Sequence, residues 1–153
     1  MEPVVVQPGQ GRDLHAFGEV LSVVLDGEQT GGSLTVMSAM TPPGVGPPPH
    51  LHHNEDELFL VVEGTINYFS NGEWAVVRPG GAVYLPRESV HTYRNDGDTP
   101  SRHWVITTPS GFEMFFAEAA DIFAREGEPD MDEIIGTAGR YGLELLLGDQ
   151  PAG

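Results

Sequence analysis

The sequence predicts an all-β barrel or sandwich, and three observations carry the prediction. Thirteen prolines and twenty glycines cut the chain into short runs of Val, Leu, Ile, Phe, Tyr and Thr, the texture of many strands joined by turns. Asn71-Gly72 lies between two such runs, a strong hairpin signal. Helical periodicity enters only after residue 110, so the β-rich part is continuous up to that point.

Taken in order, the β-rich runs place strands at 3–7, 12–18, 19–26 and 33–41. The stretch Thr41-Pro-Pro-Gly-Val-Gly-Pro-Pro-Pro49 follows, and its prolines stiffen the approach to His50 at low entropic cost. Further strands are expected at 57–63, 65–71, 73–78, 82–85, 90–95 and 102–108. Turns at Ser70-Asn71-Gly72, Pro79-Gly80-Gly81 and Pro86-Arg87 separate several of them. From Gly111 to Arg125 the residues Phe112, Phe115, Phe116, Ala119, Ile122 and Phe123 recur at intervals of three and four. That spacing predicts an amphipathic helix begun at Ser110, with its phenylalanines in the core and its body across one mouth of the barrel. A second helix is expected over 130–140, with Asp130 as N-cap and Gly142 near its stop.

Composition narrows the chemistry. The 153 residues are read as one domain. There is no cysteine and no lysine, which excludes disulfides, thiolate metal sites, cysteine nucleophiles and Schiff-base chemistry. A formal charge of −16 and a pI near 4.4 argue against nucleic acid or anionic membranes as partners. No apolar run approaches a membrane span, and the N-terminus lacks the marks of a signal peptide, so a cytoplasmic protein is expected.

The most specific pattern is Gly44-x5-His50-x-His52-x4-Glu57-x6-Gly64. Histidines at i and i+2 share one face of an extended strand, and a carboxylate opening the next strand can close on the same point. His91 is a fourth candidate, in the segment Gly80-x5-Pro86-x-Glu88-x2-His91-x3-Asn95. Imidazole plus carboxylate suits one divalent transition ion: iron, nickel, manganese or copper, with zinc as a further option. Three histidines and one glutamate leave positions open, as in catalytic rather than structural sites.

These two segments resemble the paired motifs of the cupin superfamily, with Glu88 standing where the second motif has a turn glycine. Thr30-Gly31-Gly32, the 108–116 run and Tyr141-Gly142 resemble the small quercetin 2,3-dioxygenase-like members. The resemblance implies a double-stranded β-helix, a jelly-roll-like barrel, with its core over about 15–108 and a helical extension over about 109–142. It implies metal ligands His50, His52, Glu57 and His91, with Glu57 also accepting a substrate proton. The expected reaction is a dioxygenation of a flavonol-like, enolic or phenolic small molecule, with dioxygen as second partner. The alternatives are a redox-neutral isomerase or polyketide-type cyclase, or a non-catalytic ligand binder.

Around the ligands, His53, Glu55 and Asp56 read as solvated, with Glu55 the replacement acid by parity. His15 and His103 read as surface or hydrogen-bonded structural histidines, His103 with a smaller claim on the pocket. Tyr93 is the best pocket aromatic, since it shares the face of His91; Tyr68, Trp104 and Met37 are further candidates. A homodimer is expected, paired through 3–7 or 19–26.

Overall fold

Strands with one buried face alternate strictly, and β3 (Thr35–Thr41) does so over its whole length. The computed structural model, which describes residues 1–148, arranges eleven strands in two antiparallel sheets. The larger sheet has the order β1 (Arg12–Ala16), β2 (Glu19–Leu25), β3, β10 (Ser101–Thr108), β5 (Asp56–Glu63), β8 (Ala82–Leu85). The smaller has the order β11 (Leu143–Leu145), β4 (His50–His52), β9 (His91–Arg94), β6 (Ile66–Ser70), β7 (Glu73–Val77). This is the double-stranded β-helix. Its core lies between the sheets, where Leu21, Val23, Met37, Ala39, Phe59, Val61, Ile66 and Val105 are buried.

The Asn71-Gly72 hairpin forms as expected: both residues have positive φ, 53° and 81°, and Ser70 faces Glu73 across the turn. That pair of φ values is what a type I′ turn requires. A second two-residue turn, Phe17-Gly18, joins β1 to β2, also with positive φ at both residues. Phe17 is an unusual residue for that conformation. Its ring packs on Phe123 at 4.8 Å and on Phe116 at 6.1 Å, contacts that offset the backbone cost.

The structure departs from the sequence reading in three places. Residues 3–7 form no strand and are mostly exposed; a β-branched run without a partner surface has nothing to pair with. The 19–26 segment, offered as an edge, is instead β2, flanked by β1 and β3, and the edge is β1. Two three-residue strands, β4 and β11, escape the reading because pieces that short carry no periodic signal.

Helix α1 (Phe112–Phe123) begins at Gly111 rather than Ser110, with no side-chain N-cap. Glu113 takes over the anchoring. Its buried carboxylate accepts from Gly111 N at 2.8 Å, Gly27 N at 2.9 Å and Thr35 Oγ1 at 2.6 Å, tying α1 to the larger sheet. Helix α2 (Met131–Arg140) is capped by Asp130, which accepts from the amides of Asp132 and Glu133. After the Tyr141-Gly142 turn the chain returns as β11, antiparallel to β4.

Candidate metal centre

The three histidines come from the smaller sheet and the glutamate from the larger, so the cluster spans the barrel interior. His50 and His52 are buried on one face of β4 while Leu51 turns outward. His91 opens β9 as the register partner of His50, and Glu57 is the first inward residue of β5. The four side chains each offer a ligand atom, and those atoms lie within 4.8 Å of one another.

Each imidazole is oriented by its remote nitrogen. His50 Nδ1 meets Pro48 O at 2.8 Å, His91 Nδ1 meets Ser89 O at 2.9 Å, and His52 Nδ1 meets a carboxylate oxygen of Glu55 at 3.2 Å. These acceptors keep the ring proton on Nδ1 and aim a bare Nε2 at the centre. The Nε2 atoms of His52 and His91 and Oε2 of Glu57 are buried with no hydrogen-bond partner. Yet they lie close together, at 3.3 Å and 2.8 Å from nitrogen to oxygen. Lone pairs facing a carboxylate repel unless a cation lies among them, so the donor set fits a single metal ion.

The electrostatics agree. Burial, then His91 and His52, push His50 down to about 3. Burial also works against protonating His52, but Glu57 and Glu55 outweigh it and raise that ring to about 9. Burial would raise Glu57, yet His52 and His91 hold it well below its ordinary range. The cluster therefore favours positive charge at its centre, a proton between His52 and Glu57 or a metal ion in its place.

Among the flanking residues, His53 is exposed and faces the carboxylates of Glu88 and Glu144. Asp56 pairs with Arg87 at 3.1 Å. Glu55 corrects the sequence reading: it is buried, neither solvated surface nor a replacement ligand, and holds His52 from behind. Glu88 keeps the turn that the motif glycine would make, at φ 71°, and its amide donates to His52 O at 2.8 Å. Gly46 has a steric reason to lack a side chain, since a Cβ there would collide with the Tyr93 carbonyl.

Beside the cluster lies a narrow, partly open cavity of about 40 Å³. Its walls are apolar and largely aromatic, Phe59, Phe112, Phe115 and Phe116 among them, and Phe112 meets the His52 ring edge-on at 5.0 Å. The phenylalanines of α1 therefore serve as core and as cavity wall together. Of the pocket candidates, Tyr93 lines this cavity. Tyr68 and His103 are buried in the same interior, with the tyrosine hydroxyl 2.7 Å from His103 Nδ1. Burial lowers His103 to about 4, leaving it neutral. Trp104 is a correction: the alternation of β10 turns it to the outer face, in a groove with Val20, Ser38 and Met40. Met37 is wholly buried core, and His15 is on the surface.

The sequence reading missed Glu19. This buried residue lines the cavity and accepts from Tyr93 Oη at 2.9 and 3.0 Å and from Thr41 Oγ1 at 2.9 Å. Burial raises it from 4.5 to about 7, against the two hydroxyl donors. Its signal was present in the alternation of 19–25, where Glu19 has the same parity as the inward Leu21 and Val23.

A β-helix with a buried three-histidine, one-glutamate cluster defines a class of metal-ready barrel proteins. Residues 37–107 match the family described as the cupin domain, so the chain carries a cupin domain over that stretch. It is 29% identical over 119 residues to quercetin 2,3-dioxygenase of Bacillus subtilis, covering 78% of this chain. It spans only 35% of that relative's length. Among solved structures it resembles a predicted oxalate decarboxylase from Thermotoga maritima, with TM-score 0.65 and 17% identity over 69% of this chain and 99% of the other. It also resembles the polyketide cyclase RemF from Streptomyces resistomycificus, with TM-score 0.56 and 23% identity over 72% of this chain and 80% of the other. At these identities the two structures speak for the fold alone.

Proposed function

We propose that this protein is a metal-dependent dioxygenase acting on an aromatic or enolic hydroxyl compound of the flavonol kind. One observation carries the reading: the cavity beside the ligand cluster is walled by phenylalanine, leucine and proline, with Glu19, His50, Glu57 and Tyr93 as its polar or ionisable groups. Among the described residues no arginine lines it, and the chain has no lysine. An anionic sugar phosphate or dicarboxylate would find no partner for its charge there. A planar, neutral, hydroxylated ring system matches such walls. The similarity to quercetin 2,3-dioxygenase supports the same substrate class.

His50, His52, Glu57 and His91 would hold one divalent transition ion, iron, nickel, manganese or copper before zinc. When bound, such an ion supplies Lewis acidity that lowers the pKa of a substrate hydroxyl. Glu57 is assigned as ligand and as the base within reach of that hydroxyl proton. The aromatic wall keeps water from the ring. At about 40 Å³ the cavity has room for only a few waters. A flavonol is larger than that, so binding one requires side chains of the wall to move, Phe112 beside His52 among them.

The test is metal content followed by oxygen uptake with a flavonol. About one equivalent of a redox-active ion, with uptake that His91→Ala and His52→Ala abolish together with the metal, is the expected result. Turnover of an enol without oxygen uptake would replace the reading by a redox-neutral one. Full metal retention in both variants would overturn the ligand set.

A further inference from the structure

We propose that Glu19 is the general acid of this site, donating a proton from its carboxyl to a substrate oxygen at the wall remote from Glu57, with Tyr93 as its positioning residue. The proposal rests on the metal-dependent reading above and adds a second proton-transfer group to it.

Geometry carries the assignment. Glu19 stands on β2 and Glu57 on β5, three strands apart in the same sheet and offset along it, Glu19 level with Ser101 of β10 and Glu57 with Thr107. Both line the one cavity. A molecule bound at the ligand cluster and extending along the aromatic wall therefore meets a second carboxyl at its other end. Structural reasons for burying a glutamate here are weak. Among the described residues no cation faces it; its partners are the Tyr93 hydroxyl from β9 and the Thr41 hydroxyl from β3. The phenol of Tyr68 and the carboxylate of Glu57 share the interior with this group and act on Tyr93 as it does. A buried carboxyl without a counter-charge is costly as a carboxylate and acceptable as an acid. Its rise to about 7 matches a proton donor working near neutrality. Among the described residues Oε1 meets only the hydroxyl of Tyr93, shared with Oε2, which leaves it spare hydrogen-bonding capacity in a residue that lines the cavity.

The proton balance closes. The substrate hydroxyl loses its proton to Glu57, and its electron pair stays on the substrate. The Glu19 O–H bond breaks, its proton goes to an oxygen that gains charge as the ring opens, and its electron pair stays on the carboxylate. Tyr93 and Thr41 already point hydroxyl donors at that carboxylate, so the charge it acquires is met without rearrangement. One proton taken and one given leaves the net charge of the protein unchanged, and exchange with solvent after product release resets both groups.

Glu19→Gln preserves shape and hydrogen bonding while removing the acid. In the metal-loaded protein with a flavonol, we expect kcat for oxygen uptake to fall about 100-fold or more, with KM and metal content little changed. Bound anaerobically, the flavonol should still show the absorption of its anion, since that ionisation belongs to Glu57. Infrared titration supplies a readout free of turnover. The native protein should show a protonated-carboxyl band that vanishes as pH rises through about 7, and Glu19→Gln should lack it. Tyr93→Phe removes a donor to the carboxylate, so the band midpoint and the alkaline limb of the rate profile should both move to higher pH. A purely structural role for Tyr93 would move neither. Oxygen uptake by Glu19→Gln within about threefold of the native rate overturns the proposal and leaves the dioxygenase reading standing. Absence of that infrared band also overturns it. A native protein that neither binds flavonol nor consumes oxygen overturns the functional reading, and the general acid with it.

Discussion

Glu55 shows how much of a metal site lies behind its ligands. It fixes the proton of His52 on Nδ1 from a buried position, and such supporting carboxylates typically contribute 10- to 100-fold in metal affinity. Glu55→Gln should therefore weaken metal binding by about tenfold while the fold persists; competition with a chelator measures it, and unchanged affinity would remove the role. Glu19 makes a prediction of a different sign. Its carboxyl ionises near 4.5 when unfolded and at about 7 when folded, so the native state binds the extra proton between those values. Stability is then intact below about pH 4.5 and falls as pH rises through about 7, by roughly 3 kcal/mol. Urea unfolding of Glu19→Gln should show the variant more stable than the native protein at alkaline pH and without that advantage in acid. Parallel curves at both pH values would mean that Glu19 is not buried as an acid.

At the scale of elements, α1 is held by its aromatic face. Phe115 and Phe116 are buried against Phe17 and the cavity. Phe115→Ala should cost about 3–5 kcal/mol, read as a lower urea midpoint, because the rings around it cannot all collapse into the gap. A loss under about 1 kcal/mol would mean that the helix is loosely seated. The helices and the 65–78 hairpin were legible because period and turn chemistry are local properties: Asn71-Gly72 dictates its own φ values, and the 112–123 stripe its own face. All four residues of the cluster were legible as well, His50, His52 and Glu57 from spacing on strands and His91 from the second motif. Glu19 was not, because its burial depends on hydroxyls that other strands bring to it from 22 and 74 residues away. Glu55 meets a ring only three residues away, but its burial is set by the packing of the finished fold. Residues 3–7 misled in the opposite way. Their composition suits a strand, but pairing is a tertiary event.

For the whole molecule, the expected homodimer needs a different seam from the one the sequence suggested. The strands that end the sheets are β1, β8, β7 and β11, and exposed edges of this kind are commonly covered by a second copy. We expect pairing through β1, and light scattering at micromolar concentration should return twice 16.5 kDa; a mass of one chain would exclude it. The return of β11 has a consequence for how the molecule is made. β4, which carries His50 and His52, meets β9 in register only at His50–His91, whereas β11 pairs with all three of its residues. His50 and His52 leave the ribosome well before the strand that clamps them, residues 143–145. The centre is therefore not fully braced until that strand has been made.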